Sequence, residues 1–445
     1  MAKKEKLETL VPPEEQPYPV PENWRWVRLG NVVKIKRGAS PRPIKSYITE
    51  DGNGVNWIKI GDTDSGKYIT VTKERVTQSG ADKSVFVEKG TLLLSNSMSF
   101  GRPYILNIDG CIHDGWLAIT PSDVLDKEYL YYALLASRWY FESVAVGTAV
   151  RNLNSDRVAA TPVVLPPKDE QERIVVRIES LFAKLDEAKE KAQAVVDGFE
   201  DRKAAILHKA FTGELTEQWR KEKNLSLDQW QYVKWGSFLK SIEAGKNWNA
   251  LGRPPEGDEF GVVKVSAVTW GEFEEKESKT CTEQSQWNDR IQIKLGDFLF
   301  SRANTIQLVG NCVIVRDVHK RLMLSDKILR FNMSSLVDPE YILFFTRSDL
   351  YRNQIEELAS GNQDGMRNVS QANLKKIEFP IPSKEEQLQI VKLLSNFHNK
   401  ANISKQVAKK VIDDIDGMKK SILAKAFRGE LGTNDPTEPS VELPQ

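Results

Sequence analysis

Segment 61–67 has the GxxxxGK spacing of a phosphate-binding loop and follows a predicted strand. Such a loop needs Ser or Thr after its lysine to bind magnesium, but this chain has Tyr68 there. It also needs a following helix, whereas the residues after Lys67 are rich in β-branched types and favour a strand. Asp62 and Asp64 would repel phosphate. We therefore interpret the segment as a hairpin turn, and a nucleotide hydrolase built on it remains one alternative.

Other catalytic sets are not found in the sequence. The chain has four histidines and three cysteines, and their spacing fits neither a zinc site nor a disulfide framework. No glycine-rich dinucleotide fingerprint follows a strand, and the Asn/Asp-Pro-Pro-aromatic tetrapeptide of amino-methyltransferases does not occur. His113 and Asp114 could form a dyad, but a structural histidine is the simpler interpretation. The sequence thus favours a binding protein, with no metal and no catalytic residue, over an enzyme.

Polar side chains follow predicted strands in both halves of the chain, where the loops of a DNA-reading protein would place them. Direct readout uses Arg, Lys, Asn and Gln at base edges, with further contacts to phosphates. An Arg-Asn pair recurs in the two halves after a glycine-rich turn, which indicates either shared phosphate contact or shared loop architecture. The candidates are Arg37, Arg42, Lys45, Asn96, Ser97, Arg102, Arg151 and Asn152 in the first half, and Lys246, Asn247, Arg253, Arg302, Asn304, Gln363, Arg367 and Asn368 in the second.

An internal repeat determines the elements that must position these side chains. When the chain is shifted by 216 residues, segment 165–215 aligns with segment 381–431 without a gap, and 20 of the 51 positions are identical. Both copies begin with Pro-x-Lys-x-Glu-Gln-x-x-Ile-Val and end with Lys-Ala-Phe-x-Gly-Glu-Leu. The segments before them correspond more weakly, starting at Trp24 and at Trp230. We interpret the chain as a duplication in which the framework is shared and the readout is not.

Each repeated segment is predicted to be a long helix of about 44 residues, roughly 65 Å at 1.5 Å per residue. Its start is marked by proline and, in the second copy, by Ser383 and Glu386 as a capping box, and its end by Gly213 or Gly429. Apolar residues alternate at spacings of four and three, which predicts a coiled-coil seam within an intramolecular pair of rods. A pair of core helices in one large domain is the alternative. The seam residues are Ile174, Ile178, Leu181, Leu185, Val195, Phe199 and Ile206 in the first copy, and Ile390, Leu394, Phe397, Val411, Ile415, Met418 and Ile422 in the second.

The globular halves are predicted to be mixed α/β, so the fold class is α+β with two pseudo-repeated domains joined by two long helices. The predicted strands are Val55–Ile60, Thr91–Ser95, Tyr104–Ile108 and Trp116–Thr120, and the predicted helices are Asp126–Ser143 and Pro339–Leu358. The predicted boundaries are an N-terminal tail at 1–21, a first domain at 22–164, a helical spacer with its linker at 165–229, a second domain at 230–380, a second helical spacer at 381–431 and a C-terminal tail at 432–445.

Composition and charge limit the classes of function. The 63 Lys and Arg residues nearly balance the 62 Asp and Glu residues, and a hydrophobic content of 40% is ordinary for a globular protein. If the chain binds nucleic acid, its basic residues must be concentrated locally. No apolar run is long enough to span a membrane, and the N-terminal residues lack the apolar core of a secretory signal. The expected location is the cytoplasm.

The duplicated order of these motifs resembles the specificity subunits of type I restriction-modification systems. The resemblance rests on the repeated helix-start and helix-end motifs, the 216-residue offset and the Trp-x-(Trp/Tyr)-Val-x-x-Gly openings at 24–30 and 230–236. It covers residues 22–431. It implies two target recognition domains, each reading one half of a bipartite DNA site, and two conserved helices packed antiparallel as a coiled-coil spacer.

The resemblance also implies partners. Two modification subunits would dock on the helices and carry S-adenosylmethionine and the adenine-N6 methylation chemistry, and restriction subunits would join to translocate and cleave DNA. The chain itself would be a non-catalytic, sequence-specific DNA-recognition subunit of a bacterial or archaeal phage-defence system, with no cofactor of its own. Two further alternatives stay open, a coiled-coil scaffold that holds two protein-binding domains and the specificity subunit of a solitary methyltransferase without a restriction partner.

Overall fold

The computed structural model describes residues 10–96, 100–144, 153–361 and 366–443. The chain forms two compact units, the first from residues 1–192 and 410–445 and the second from residues 193–409. Each unit combines one of the predicted globular domains with parts of both long helical segments. The predicted fold class, two repeated mixed α/β domains with long helices, is confirmed.

The first unit is built from short strands and a few helices. The strands are β1 (Arg25–Arg28), β2 (Val33–Arg37), β3 (Ile48–Thr49), β4 (Val55–Ile58), β5 (Tyr68–Ile69), β6 (Glu74–Val76), β7 (Val85–Val87), β8 (Leu92–Ser95), β9 (Pro103–Leu106), β10 (Gly110–Ile112), β11 (Trp116–Pro121) and β12 (Pro162–Leu165). The helices are α1 (Gln78–Ala81), α2 (Lys127–Ala136), α3 (Arg138–Val144), α4 (Ser155–Ala159) and α5 (Lys168–Asp197), whose last turn belongs to the second unit.

Two five-stranded sheets form the centre of the first unit. Their strand orders are β3-β6-β4-β10-β7 and β2-β11-β8-β9-β5, and β1 pairs with β12 as an antiparallel ribbon. All residues of β8 and β9 are buried, which explains why these segments are apolar without alternation. The ribbon leads directly into α5, so pairing between the two ends of the domain fixes where the long helix begins.

The second unit repeats this plan with different strands. Its strands are β13 (Gln231–Lys234), β14 (Leu239–Ala244), β15 (Ala250–Leu251), β16 (Phe260–Val263), β17 (Ser278–Cys281), β18 (Phe298–Ser301), β19 (Ala303–Asn304), β20 (Cys312–Ile314), β21 (Arg321–Met323), β22 (Ile328–Met333), β23 (Arg367–Asn368) and β24 (Glu378–Ile381). Its helices are α6 (Phe199–Phe211), α7 (Glu217–Lys223), α8 (Pro339–Phe345), α9 (Asp349–Leu358), α10 (Gln371–Leu374) and α11 (Lys384–Ala426), whose C-terminal part belongs to the first unit.

The sheets of the second unit have the orders β14-β22-β18-β20 and β15-β17-β16-β21. Two antiparallel ribbons, β13-β24 and β19-β23, complete the unit. The ribbon β13-β24 precedes α11 as β1-β12 precedes α5, so the shared frame includes the way in which each domain enters its helix.

Two single helices predicted from the sequence are each divided in two. The predicted helix Asp126–Ser143 is broken at Ser137, whose hydroxyl donates to the Ala133 carbonyl oxygen over 2.8 Å. The predicted helix Pro339–Leu358 is broken before Ser348, whose hydroxyl accepts from the Tyr351 N–H as the cap of α9. In both cases a serine side chain competes with the backbone for hydrogen bonds, which favours a new start over continuation.

The two copies of the long helix differ in continuity. The second copy is continuous through α11, but the first copy ends at Asp197 and restarts at Phe199, so the prediction of one rod in the first copy is wrong. Gly198 stands at the break, where the high conformational entropy of glycine weakens a helix. The predicted stops are confirmed, because Gly213 and Gly429 have φ angles of 86° and 75°, which favour glycine.

Most predicted seam residues are shielded from solvent. In the first unit, Ile174 and Ile178 join the core that also contains Leu423 and Phe427. Met418 is an exception, because it is 46% exposed and does not lie on the buried stripe. Of the remaining seam residues, Phe199, Ile390, Leu394 and Ile415 are buried, and Leu181, Leu185, Val195, Ile206, Phe397, Val411 and Ile422 are half-buried.

The two helical segments run antiparallel in each unit. In the first, Glu170 contacts Thr433 while Asp186, further along α5, contacts Lys419. In the second, Glu200 contacts Lys405. Arg220, which comes after Glu200 in the chain, contacts Glu386, which comes before Lys405, so the two segments run in opposite directions there too.

The segments predicted as tails are packed against the first unit where the structure describes them. Val11 is buried, and its N–H donates to the Trp26 carbonyl oxygen over 3.0 Å. The Trp24 indole N–H donates to the Asn434 side-chain oxygen over 2.8 Å. Both segments therefore belong to the folded unit.

Candidate nucleic-acid interface

Loops from three strands of the first domain meet around the backbone of Asp114. Arg37 ends β2, and its Nε donates to the Asp114 carbonyl oxygen over 3.2 Å. Asn96 follows β8 directly, and its amide donates to the same oxygen over 3.0 Å. The Leu153 N–H donates to the Asn96 carbonyl oxygen, so the residue that follows the candidates Arg151 and Asn152 in the sequence also lies beside Asn96. Candidates distant in sequence thus lie at one edge of the domain.

The side chain of Asp114 also forms contacts, and we call the set of Arg37, Asn96, Ser40 and His113 around Asp114 the hub. Its carboxylate accepts from the Ser40 hydroxyl over 2.7 Å and lies 3.0 Å from His113 Nε2. Burial alone would raise the pKa of Asp114. The hydrogen bond from Ser40 and the neighbouring His113 and Arg37 outweigh burial, so the pKa of Asp114 lies below its ordinary value. The other ring nitrogen of His113, Nδ1, accepts from the Gly115 N–H over 2.8 Å. Both ring nitrogens of the half-exposed His113 therefore have partners within the protein, which agrees with the interpretation of a structural histidine.

Two predicted contact residues of the first domain have structural partners instead. Asn96 is only 2% exposed, so its side chain supports the loop and does not reach outward. Arg102 donates to the carbonyl oxygens of Ser65 and Gly66, and its guanidinium lies 5.1 Å from the Tyr104 ring centroid. Each of these two side chains thus supports a loop through a backbone carbonyl oxygen, and a DNA contact by either stays a prediction.

Arg42 and Lys45 are presented differently. Both side chains are exposed on the loop between β2 and β3, and within the described residues neither forms a hydrogen bond or ion pair. Four further candidates, Ser97, Arg151, Asn152 and Gln363, lie outside the described residues.

In the second domain the β19-β23 ribbon brings four candidates together. Ala303 pairs with Asn368, and Asn304 pairs with Arg367. The Nε of Arg302 donates to the side-chain oxygen of Asn368 over 3.3 Å. The ribbon therefore brings the backbones of Arg302, Asn304, Arg367 and Asn368 close together.

The ribbon also bears on the recurrent Arg-Asn pair. The backbone N–H of Asn368 donates to the Ser360 carbonyl oxygen over 2.8 Å, and its side chain receives the bond from Arg302. Asn368 thus has an architectural role in the second domain, which favours shared loop architecture for the asparagine of the pair.

The remaining candidates of the second domain lie before β16. Lys246 and Asn247 are exposed, and the Lys246 ammonium lies 5.7 Å from the Trp248 ring centroid. Arg253 forms an ion pair of 2.6 Å with Glu259. That hydrogen bond lowers the pKa of Glu259 to about 2, so the charge of Arg253 is already matched within the domain.

The two domains share backbone hydrogen bonds at the position where their polar loops begin. The Asn96 N–H donates to the Gly115 carbonyl oxygen, and the Asn96 carbonyl oxygen accepts from the Leu153 N–H. The Arg302 N–H likewise donates to the Lys327 carbonyl oxygen, and its carbonyl accepts from Val369. The frame is the same, but one domain places a buried asparagine there and the other a half-buried arginine.

The GxxxxGK segment has neither the geometry of a phosphate-binding loop nor that of the predicted hairpin turn. It connects β4 in one sheet with β5 in the other, so the prediction of a hairpin is wrong. Lys67 forms ion pairs with Glu128 and Glu179. Burial alone would lower the pKa of Lys67, but the hydrogen bonds to these two carboxylates outweigh burial and raise the pKa of Lys67. The lysine fastens the loop to α2 and α5 and is not free for phosphate.

Comparison with known proteins identifies the family. Residues 21–196 and 258–412 match the model of the type I restriction modification DNA specificity domain. The chain belongs to this family. The specificity subunit of the type I restriction enzyme EcoKI of Escherichia coli K12 is 25% identical over 440 residues, which cover 93% of this chain and 90% of that protein. The MjaVIII specificity subunit of Methanocaldococcus jannaschii is 22% identical over 434 residues, which cover 93% of this chain and 94% of that protein.

Solved structures agree on the fold. The HsdS subunit from Thermoanaerobacter tengcongensis superposes with a TM-score of 0.67 at 19% identity and covers 94% of this chain and 99% of that chain. A chain from a structure of type I restriction-modification complex assembly gives 0.62 at 20% identity, covering 93% of this chain and 100% of that chain. The chain is therefore a type I specificity subunit in family and in fold.

The repeated Glu-Gln motif of this specificity subunit has a structural explanation. Gln171 donates to the carbonyl oxygens of Val124 and Pro166 and accepts from the Asp126 N–H. Gln387 makes the corresponding bonds to Leu336, Pro382 and Asp338. Each glutamine ties the first turn of the long helix to the cap of the helix in its domain, α2 or α8. The motif therefore fixes the domain on the helix.

The glutamates of the same motif are buried and bind the segment that follows the other helical copy. Glu386 accepts from the Thr216 hydroxyl at 2.6 Å, from Arg220 at 2.6 Å and from the Trp230 indole at 2.9 Å. Its carboxylate thus faces away from the helix start, and only the Ser383 half of the predicted capping box forms, through the Glu386 N–H. In the first unit, the Glu170 carboxylate accepts a hydrogen bond from the Thr433 hydroxyl, which lies after the second helical copy.

The described residues meet neither the requirements of a metal-ligating cluster nor those of a membrane-spanning helix. Within the ranges of the chain that the structure covers, no group of three or more His, Cys, Asp or Glu side chains could hold a metal ion. In the same part of the chain, no helix is long and apolar enough to cross a membrane. Cys111, Cys281 and Cys312 are free thiols in buried positions.

Proposed function

We propose that each recognition domain reads one half of a bipartite DNA site. The observation that carries this proposal is the common backbone frame at Asn96 and Arg302, on which the two domains mount different polar side chains. A shared frame keeps the docking geometry, and different side chains give different base contacts. Two pseudo-equivalent readers in one chain match an asymmetric, two-part site, much as a dimer matches a palindrome.

The helical segments α5–α6 and α11 are proposed to set the spacing between the half-sites and to dock two modification subunits. Solvent-exposed apolar side chains support docking. In the second unit, Ile403 and Val407 lie one turn apart on α11 and are 60% and 57% exposed. In the first unit, Val176 on α5 is 67% exposed. Apolar residues at this exposure on a helix suit burial by a partner helix.

The methyl transfer is assigned to the partners. The modification subunits would hold S-adenosylmethionine and methylate adenine N6, and restriction subunits would join to translocate and cleave. This chain would supply recognition without chemistry or a cofactor. Its formal net charge of +1 fits this division, because a complex that encloses DNA can supply much of the basic surface from other subunits. Binding of DNA by this chain alone is accordingly expected to be weak and sensitive to salt.

A domain exchange tests the proposal. Residues 230–380 are replaced by those of a relative with a different target, and the methylated motif of a host expressing the chimera with its methyltransferase is determined. We expect one half of the motif to change and the other half, with the spacer, to stay. A change in both halves would contradict modular reading.

A further inference from the structure

The first domain contains an open cleft beside its candidate interface. The cleft has a volume of 1180 Å³ and lies between the loop after β2 and the face of the sheet that carries β4 and β6. Pockets that hold whole small-molecule ligands have volumes of about 300–1,000 Å³, so a nucleotide base fits. Its walls include Pro41, Pro43 and Ile44. Apolar walls of this kind suit the faces of a planar ring.

The polar part of the cleft is an ion pair. The Lys59 ammonium lies 2.5 Å from the Glu74 carboxylate, and the two side chains are 32% and 38% exposed. Trp57 pairs with Glu74 across the sheet and is 1% exposed beneath them. The Glu74 carboxylate beside the Lys59 ammonium, above the apolar side chain of Trp57, offers two acceptor oxygens next to a donor.

The cleft is continuous with the candidate interface. His113 lines it, and Ser40, which bonds to Asp114 in the hub, lines it as well. Arg42 and Lys45 stand on the cleft loop as exposed cations, suitably placed for the phosphates on either side of an entering nucleotide.

We propose that this cleft receives one guanine of the bound half-site, turned out of the duplex. The inference rests on the proposed function. A guanine presents two adjacent N–H donors and the O6 acceptor on its pairing edge, which match Glu74 and Lys59 respectively. Adenine, cytosine and thymine each present only one donor group there, so the pair selects guanine. The cost of unstacking is met by contacts in the cleft.

Fluorescence of a guanine analogue tests the inference in the complex of this chain with its methyltransferase. Each guanine of the half-site read by the first domain is replaced in turn by 6-methylisoxanthopterin, whose emission rises when it leaves the base stack. We expect emission to rise about threefold at one position, and Glu74→Gln to remove the rise and weaken binding about tenfold. Glu277→Gln is the matched control, because Glu277 pairs with Lys264 in the second domain at 3.7 Å. It should leave the emission from the first half-site unchanged.

The outcomes separate the inference from the proposed function. Tight, sequence-specific binding without a rise at any guanine overturns the inference and leaves the function intact. A rise that persists in the Glu74→Gln variant also overturns it, because the base would then enter another site. If the complex shows no sequence preference for DNA, the proposed function fails first.

Discussion

Removal of the Arg220 guanidinium is expected to destabilise the second unit strongly. Arg220 and Glu386 form an ion pair of 2.6 Å with side-chain exposures of only 6% and 3%. Arg220 also donates to the Thr216 hydroxyl and the Gly213 carbonyl oxygen. In the Arg220→Ala variant, Glu386 would remain as a buried charge without its counterion.

The magnitude follows from this geometry. Breaking a buried ion pair on one side costs about 3–5 kcal/mol. The lower end applies here, because the Thr216 hydroxyl and the Trp230 indole still donate to Glu386. A loss of about 3 kcal/mol lowers the melting temperature of a unit of this size by about 6–12 °C, at 2–4 °C per kcal/mol.

Scanning calorimetry of the full chain measures the effect. Lys221→Ala is the control, because Lys221 forms an exposed pair with Glu217 in the same helix, with side-chain exposures of 66% and 58%. Because that pair is exposed to solvent, its contribution to stability is small. A double variant, Arg220→Ala with Glu386→Gln, should recover part of the loss because no buried charge remains. If Arg220→Ala is no worse than the control, or if the double variant is less stable than Arg220→Ala, the account of the buried pair is refuted.

Three further predictions concern recognition, acidity and spacing. Arg302→Ala should weaken recognition of one half-site by about 1–3 kcal/mol and leave the other unchanged, and competition binding with half-site variants would show this against an Arg316→Ala control. Burial raises the pKa of Glu170. The folded first unit therefore binds this proton more tightly than the unfolded chain, and the contribution of Glu170 to stability should fall as pH rises from about 4.3 through the folded-state pKa. Unfolding of Glu170→Gln across that range should lack this slope, and an unaltered slope would contradict the assignment. Insertion of one helical turn, about four residues, near Ala188–Ala192 should lengthen the tolerated spacer without altering the half-site bases, and methylated bases that changed in the recovered motif would contradict it.

The sequence predicted the features that repeat along the chain and missed those that depend on distant partners. The helix-start and helix-end motifs, the mixed α/β class and the glycine stops at Gly213 and Gly429 follow from local patterns, and the structure confirms them. Burial of Asn96 depends on a bond to Asp114, which only the packed sheets bring near. The sequence places Lys67 in a turn, because its partners Glu128 and Glu179 lie far along the chain and cannot be read from the local pattern.

The breaks in the long helices show a second limit. Apolar spacing continued through Gly198, and the pattern alone gave no reason to divide the first copy. The first copy is interrupted at Gly198, while the second copy, with Asp414 at the corresponding position, stays continuous and passes through Gly417, so glycine alone does not explain the break. Periodicity predicts that a helix exists more reliably than it predicts where the helix is interrupted.

The central claim is that this chain determines which DNA sequence its methyltransferase modifies. Single-molecule sequencing of genomic DNA for N6-methyladenine tests it, in a host that expresses the chain with its partner methyltransferase, each alone, and neither. The account predicts a two-part motif with a fixed gap that is methylated only when both proteins are present. A motif that persists with the methyltransferase alone would contradict the account, as would active methylation without a two-part motif.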